Sequence, residues 1–429
     1  MNVSQQLAAT AIQQVFAGRN LNAVLDALFH NNTHVTPQQR AVAQDLSYGT
    51  LRFYGQVQAL LAQLLEKPLQ DEHLRCLLLV AIYQLQHDKA ASHTVVDQAV
   101  KAASLSKKSW AKGLVNGVLR NFLRQRDALL QKTASDEVAS YSYPKWWINK
   151  LKAQYPANWQ AMLTAGNQHP PMTLRVNQRQ NSVAEYQQKL AEQNIESQHL
   201  GGQALMLAKA LPVDKVPGFF DGDASVQDYG AQFAAELLDV HEGMRVLDAC
   251  CAPGGKTGHI LELTNVDMTA VDSDKTRLQR TQDNLQRLKL EAKLLVGDAA
   301  SNEWWDGVPF DRILADVPCT ASGIVRRHVD IKWLRREADI ASFAKQQAAI
   351  LPGMWRLLAK GGKLLYVTCS IFHEENQRQI ERFLGEQTDA EQLPLSISQP
   401  GLQLANIQDG QLLPCAQHDG FFYALLQKK

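Results

Sequence analysis

The spacing of apolar residues divides the chain into three stretches of different period. From Ser4 to about Lys132 the period is helical: Val3, Leu7, Ala11, Val15 and Phe16 recur on one face, as do Leu21, Val24, Leu25 and Leu28. Thr36-Pro37 reads as an N-cap followed by proline at the first helical position. Further helices are predicted across Ala41–Leu65, Glu72–Leu85, His93–Ala103 and Trp110–Leu123, with Gly49 and Pro68 as punctuation. No alternating strand pattern intervenes, so residues 1–135 are expected to form an all-α bundle of roughly five to seven helices.

The second stretch, residues 136–228, mixes periods. Tyr143-Pro144-Lys145 leads into a short helical run with Trp146 and Trp147, and Pro170-Pro171 breaks it. Met172–Val176 and Ala204–Leu207 read as strands, with a helix over Ser182–Gln193 between them. Val216-Pro217-Gly218 and Asp221-Gly222-Asp223 are turn chemistry. A small α+β module of RRM type is expected. In the third stretch, residues 229–429, strands and helices alternate. Strands are expected at Arg245–Asp248, Asp267–Val271, Ala292–Leu295, Arg312–Ala315 and Lys363–Thr368, with a last one at Gly420–Leu426. That alternation predicts a Rossmann-like α/β domain with a parallel sheet covered on both faces.

Composition adds limits. With 429 residues, 45% of them hydrophobic and 20% charged, the chain is an ordinary multidomain globular protein. It has no apolar run of about 18 residues and no signal-peptide pattern at Met1–Ala17. Six scattered cysteines show neither a CxxC pair nor zinc-ligand spacing, so free thiols in a reducing cytoplasm and no metal are expected. The net charge of +1 hides an asymmetry: residues 1–132 hold 14 basic and 8 acidic side chains. Lys101, Lys107, Lys108, Lys112, Arg120, Arg124, Arg126 and Lys132 form the densest run, which suits either a polyanion such as RNA or a solvated helix face. A second basic run, Arg326, Arg327, Lys332, Arg335 and Arg336, is read as a phosphate anchor, whereas Trp333, Trp146, Trp147 and Cys76 are read as core.

Candidate chemistry gathers at the predicted strand ends. In Val246-Leu247-Asp248-Ala249-Cys250-Cys251-Ala252-Pro253-Gly254-Gly255-Lys256-Thr257 an apolar strand enters a glycine loop and then a helix. Glycines admit a ligand close to the backbone, and helix N-terminal amides can face a carboxylate. The loop lacks the spacing of a phosphate loop, which fits a nucleoside ligand without phosphates. Asp272 ends the next strand, where it can hold ribose hydroxyls, and Asp298 follows the third, where it can accept from an adenine amino group. Asp316-Val317-Pro318-Cys319 and Thr368-Cys369-Ser370 place two cysteines past two further strands. A lone cysteine there is usually a small buried hydrophobe. Two at one sheet edge beside Asp316 point to thiol chemistry, with Lys256 as a nearby cation.

Cys-Ala-Pro-Gly-Gly-Lys, Asp-x-Pro-Cys and Thr-Cys-Ser, in this order, resemble the RNA 5-methylcytosine methyltransferases of the NOL1/NOP2/Sun family. Arg326–Leu334 and Asp419-Gly420-Phe421-Phe422 extend the similarity, and the helical stretch resembles the antitermination factor NusB. Val317, Thr320 and Val329 depart from the commoner residues without removing a reactive group. The resemblance implies an S-adenosylmethionine cofactor held by Cys250, Cys251, Ala252, Pro253, Gly254, Gly255, Lys256, Asp272, Asp298 and Asp316. It implies ribosomal RNA as substrate, a monomer, and no membrane or DNA partner. Either cysteine alone could be the nucleophile. The resemblance implies that Cys369 attacks carbon 6 of cytosine while Cys319 assists release, with Asp316 on the base and Lys256 beside it. A transfer-RNA enzyme, an amino-group methyltransferase and a non-catalytic RNA-binding protein are the competing readings. The first keeps this chemistry on another RNA. The other two leave both thiols unexplained.

Overall fold

Side-chain capping and apolar period agree at several of the predicted helix starts. The computed structural model describes residues 1–87, 90–104, 110–397 and 407–429. Helices α1 (Asn2–Phe16), α2 (Leu21–Asn31), α3 (Pro37–Arg52), α4 (Tyr54–Leu64), α5 (Glu72–His87), α6 (Ser92–Ser104) and α7 (Ala111–Thr133) make the bundle. Thr36 caps α3 with a reciprocal box: its hydroxyl accepts from Gln39 N while the Gln39 side chain accepts from Thr36 N. The single helix expected over Ala41–Leu65 is broken at Phe53, whose backbone caps α3 and starts α4. The core is led by α5, which buries eleven residues including Cys76. Three shorter helices follow, α8 (Glu137–Tyr141), α9 (Lys145–Gln154) and α10 (Trp159–Gly166). Trp147 is fully buried, as expected.

The α+β module carries β1 (Thr173–Val176), α11 (Val183–Glu192), β2 (Ser197–Gly201), β3 (Ala204–Leu207) and β4 (Ala224–Val226). Its antiparallel sheet runs β2-β3-β1-β4. Ser182 opens α11 with a second capping box to Glu185. The third stretch contains α12 (Tyr229–Leu237), β5 (Arg245–Ala249), α13 (Gly255–Leu263), β6 (Asp267–Asp272), α14 (Lys275–Leu288), β7 (Lys293–Val296) and β8 (Phe310–Asp316). It continues through α15 (Ile331–Leu334), α16 (Glu337–Leu357), β9 (Leu358–Thr368), α17 (Gln377–Glu386), β10 (Ala390–Leu393), β11 (Ile407–Gln408), β12 (Gln411–Leu412) and β13 (Phe421–Lys428).

The large sheet runs β11-β12-β13-β9-β8-β5-β6-β7, with β10 beside β13. Strands β5 to β9 are parallel, and β13 closes on β9 antiparallel, so the sheet is mixed rather than wholly parallel. Alternation assigns its faces: Leu247 and Ile313 pack in one core, Val246 and Leu314 in the other. Strand order reverses between β5 and β8, and ligands of such sheets bind at the C-terminal edge of that reversal.

The chain divides into two compact units: residues 1–168 with 325–337, and residues 169–324 with 338–429. In the first, residues 325–337 complete the helical core through Val329, Trp333 and Leu334. This corrects the reading of the second basic run at Arg326 and Lys332. Lys332 is fully buried, and its Nζ donates to the carbonyls of Arg52 (2.8 Å) and Ser142 (2.9 Å) and to Asn167 Oδ1 (2.7 Å). Arg326 is buried too, its carbonyl accepting from Arg52 Nη2. A buried amino group held by three acceptors is not available to phosphates, whereas Arg327 and Arg335 are half-buried and Arg336 is exposed. Trp333 is core as expected, donating to the Leu51 carbonyl. Of the first basic run, Lys107 and Lys108 lie outside the described residues. Lys112, Arg120, Arg124 and Lys132 are exposed on α7, Lys101 pairs with Asp97 on α6, and Arg126 is bonded to Gln86.

Candidate active site

Neighbouring parallel strands bring the two cysteines together. Asp316, the last residue of β8, pairs in register with Val367 of β9, and Val317 N donates to the Val367 carbonyl. The chain leaving each strand therefore turns over the same edge. Cys319 Sγ and Cys369 Sγ lie 3.3 Å apart, within sulfur hydrogen-bonding range. The Cys319 thiol is pushed well above its usual range by its bond to Cys369, by burial and by the Glu375 carboxylate. Cys319 therefore keeps its proton, and Cys369, which is only half-buried, is the more accessible sulfur.

Lys256, in the first turn of α13, reaches across to this edge. Its Nζ lies 2.6 Å from Asp316 Oδ2 and 5.9 Å from the centre of the Phe421 ring. Burial opposes its charge, but the Asp316 carboxylate outweighs burial and raises the pKa, so the ammonium persists, with Cys369 in its field.

The glycine loop follows β5. Cys250 and Gly254 have positive φ, 64° and 90°, and a Cβ at position 254 would stand 2.7 Å from Thr281 Cγ2. Only glycine permits both that dihedral and that approach. Cys251 is buried against Ala270 and Leu278. Asp248 is buried at the end of β5, where Thr257 Oγ1 donates to its Oδ2 at 2.6 Å while Oδ1 has no partner. Burial pushes its carboxyl up to about 7. Asp272 accepts from Ala252 N (3.1 Å) and Asp274 N (3.0 Å), which fixes the loop against β6. Asp298 is exposed just past β7 and accepts from Ala300 N. Among the described residues no cluster of three metal-ligating side chains occurs.

Two groups at this edge escape sequence reasoning. Arg175 of β1 is wholly buried, with a bidentate pair to Glu262 of α13 (2.7 and 2.8 Å) and bonds to Gln227 Oε1 and the Gly255 carbonyl. Glu375 is buried beside both cysteine loops. Both look like ordinary surface charges in sequence, because burial through distant packing leaves no local periodic signal.

Each of the three stretches matches a known protein family. Residues 235–427 match the family described as 16S rRNA methyltransferase RsmB/F, residues 143–214 the RsmF/B-like ferredoxin-like domain, and residues 2–124 the NusB family. Ribosomal RNA small subunit methyltransferase B of Pseudomonas syringae pv. tomato is 42% identical, covering 98% of this chain and 96% of its own. The protein of that name from Yersinia pestis bv. Antiqua is also 42% identical, covering 99% and 98%. The chain belongs to the RsmB/F methyltransferase family. Among solved structures, that of PH0851 is 25% identical with a TM-score of 0.80, covering 100% of this chain and 99% of that one. A methyltransferase homologue from Pyrococcus horikoshii is 27% identical with a TM-score of 0.59, covering 68% and 98%. The expected architecture of NusB-like bundle, small α+β module and Rossmann-like methyltransferase domain holds, the module being ferredoxin-like.

The protein uses S-adenosylmethionine. The residues present fit that cofactor. The unpartnered Asp248 Oδ1 is an acceptor for a cationic ligand, and the α13 amides suit a carboxylate. Among the described residues no helix is long and apolar enough to cross a membrane.

Proposed function

We propose that this protein methylates carbon 5 of a cytosine in small-subunit ribosomal RNA through a covalent bond between Cys369 and carbon 6. The single observation that carries the reading is the 3.3 Å contact of Cys319 and Cys369 beside the Lys256–Asp316 pair. An amino-group methyltransferase has no use for two thiols in contact.

The bound cofactor supplies an electrophilic methyl group. Cys250, Cys251, Ala252, Pro253, Gly254 and Gly255 line its cradle, Asp272 takes the ribose hydroxyls, and Asp298 takes the adenine amino group. Carbon 5 of cytosine is a weak nucleophile until a thiolate adds at carbon 6 and returns an electron pair to it. Cys369 is that thiolate in this reading, and Lys256 favours its charge. Asp316, held by Lys256, supports proton uptake at ring nitrogen 3. Loss of the carbon 5 proton then expels Cys369, with Cys319 assisting release. The target base must be unpaired or flipped to reach the edge.

The names of the relatives support ribosomal RNA as the substrate. We further propose domain limits of 1–135, 136–228 and 229–429, RNA contact by the helical domain, and action as a cytoplasmic monomer without DNA or membrane partners. Bisulfite mapping of RNA from cells with and without the protein tests the function. Loss of one cytosine signal in 16S RNA is expected. An unchanged 16S map, or loss confined to transfer RNA, overturns it.

A further inference from the structure

Glu375 occupies a place the reaction does not explain. It is wholly buried, in a short turn six residues past Cys369. Its Oε1 accepts from Thr320 N (2.8 Å) and Gln347 Nε2 (3.2 Å), and its Oε2 from the hydroxyls of Thr320 (2.5 Å) and Ser370 (2.5 Å). Thr320 directly follows Cys319, and Ser370 directly follows Cys369. One carboxylate thus ties together the residue after each cysteine. Around it Ser322 and Ser370 share a hydroxyl contact of 3.0 Å, and the next residue, Asn376, accepts from Thr368 Oγ1 and donates to the Ser370 carbonyl. Tyr366 caps the turn by donating to the Glu375 carbonyl.

A buried carboxylate is costly unless donors surround it, and these four donors fill both oxygens. Aliphatic packing could fill the same volume at lower cost. What packing cannot do is fix two loops to within a fraction of an ångström of each other, which a short, directional hydrogen-bond network does.

We propose that Glu375 is the positioning residue of the two-thiol site, holding the Cys319 and Cys369 sulfurs in contact by clamping Thr320 and Ser370 to one carboxylate. Chain length is the decisive property. Aspartate is one methylene short and reaches only one loop, whereas glutamine spans both. In the cytosine mechanism, on which this consequence rests, a separated Cys319 no longer assists release while Cys369 still adds to the base.

Sulfur proximity can be read without any methylation assay. Diamide takes two electrons and two protons from a pair of thiols, leaving a disulfide and a hydrazine. The rate of Cys319–Cys369 disulfide formation, followed by peptide mass spectrometry, should fall about tenfold or more in Glu375→Asp and Glu375→Ala and stay near wild type in Glu375→Gln. Alkylation of Cys369 by iodoacetamide and binding of S-adenosylhomocysteine should remain close to wild type in Glu375→Asp, which separates lost positioning from lost folding. With RNA and cofactor, Glu375→Asp should also accumulate a denaturation-resistant protein–RNA adduct, as Cys319→Ala does. Disulfide formation in Glu375→Asp and Glu375→Ala as fast as in wild type overturns the proposal. Absence of adduct in every variant, Cys319→Ala included, overturns the covalent reading, and the oxidation rates alone then decide whether Glu375 positions the sulfurs.

Discussion

Lys256 Nζ lies 2.6 Å from Asp316 Oδ2, so the first turn of the cofactor helix is tied to the strand end that precedes Cys319. Lys256→Met removes the cation that offsets Asp316 and, in the proposed mechanism, favours attack by Cys369. The expected result is a fall in kcat of about 100-fold or more, comparable to the loss of one preorganised electrostatic contact. Single-turnover methylation with saturating RNA and cofactor measures it.

Asp248 gives the site a pH signature. Its carboxyl is raised to about 7 in the folded chain, chiefly by burial, from an ordinary value of 3.8. A raised acid favours the protonated folded form. Its stabilising contribution is therefore complete below about pH 4 and is lost as pH climbs to about 7. Asp248→Asn lacks this titration. The difference in Tm, variant minus wild type, should rise between about pH 4 and pH 7 and level off above that in thermal scans, while cofactor affinity falls. A difference that is flat with pH contradicts the buried carboxylate.

Arg175 joins the α+β module to the cofactor helix through a buried bidentate pair with Glu262. Arg175→Ala leaves Glu262 charged and unpaired, a loss of about 3–5 kcal/mol. It also frees the Gly255 carbonyl, so S-adenosylhomocysteine should bind more weakly in calorimetry. Urea denaturation at neutral pH measures the loss of stability.

Lys332 separates an internal clasp from an RNA contact. Lys332→Met leaves three acceptors without their donor and should cost about 2–5 kcal/mol. The slope of RNA affinity against salt should not change, because a side chain that touches no phosphate releases no counterions. Binding titrations at several salt concentrations give that slope.

Gly254 tests the cradle. Gly254→Ala meets both a φ of 90° and a contact at 2.7 Å with Thr281. Cofactor affinity should drop about tenfold or more, with about 1–3 kcal/mol of strain in the loop. Equilibrium dialysis with labelled cofactor reads the affinity.

Much of the fold is legible in the sequence, for physical reasons. Helix starts such as Thr36 and Ser182 announce themselves because capping is local chemistry. The runs Arg245–Asp248 and Lys363–Thr368 read as strands because buried parallel strands are continuously apolar. Short edge strands such as Ser197–Gly201, with two exposed polar side chains, carry no such signal. The glycine loop and both cysteines are visible as residue types at strand ends, but their mutual distance is not. Lys332 misleads because a buried lysine and an exposed one look identical in sequence. Glu375 and Arg175 escape for the same reason: burial depends on Thr320 and Glu262, which lie 55 and 87 residues away.

Trapping the proposed bond between Cys369 and the base decides which sulfur attacks. Cys319→Ala and Cys369→Ala proteins are incubated with substrate RNA and cofactor, then denatured, digested with nuclease and protease, and analysed by mass spectrometry. A cytidine-derived mass is expected on the peptide containing Cys369 in the first variant, and neither adduct nor methylated cytosine in the second. A nucleotide on the Cys319 peptide, or full methylation by Cys369→Ala, contradicts attack by Cys369.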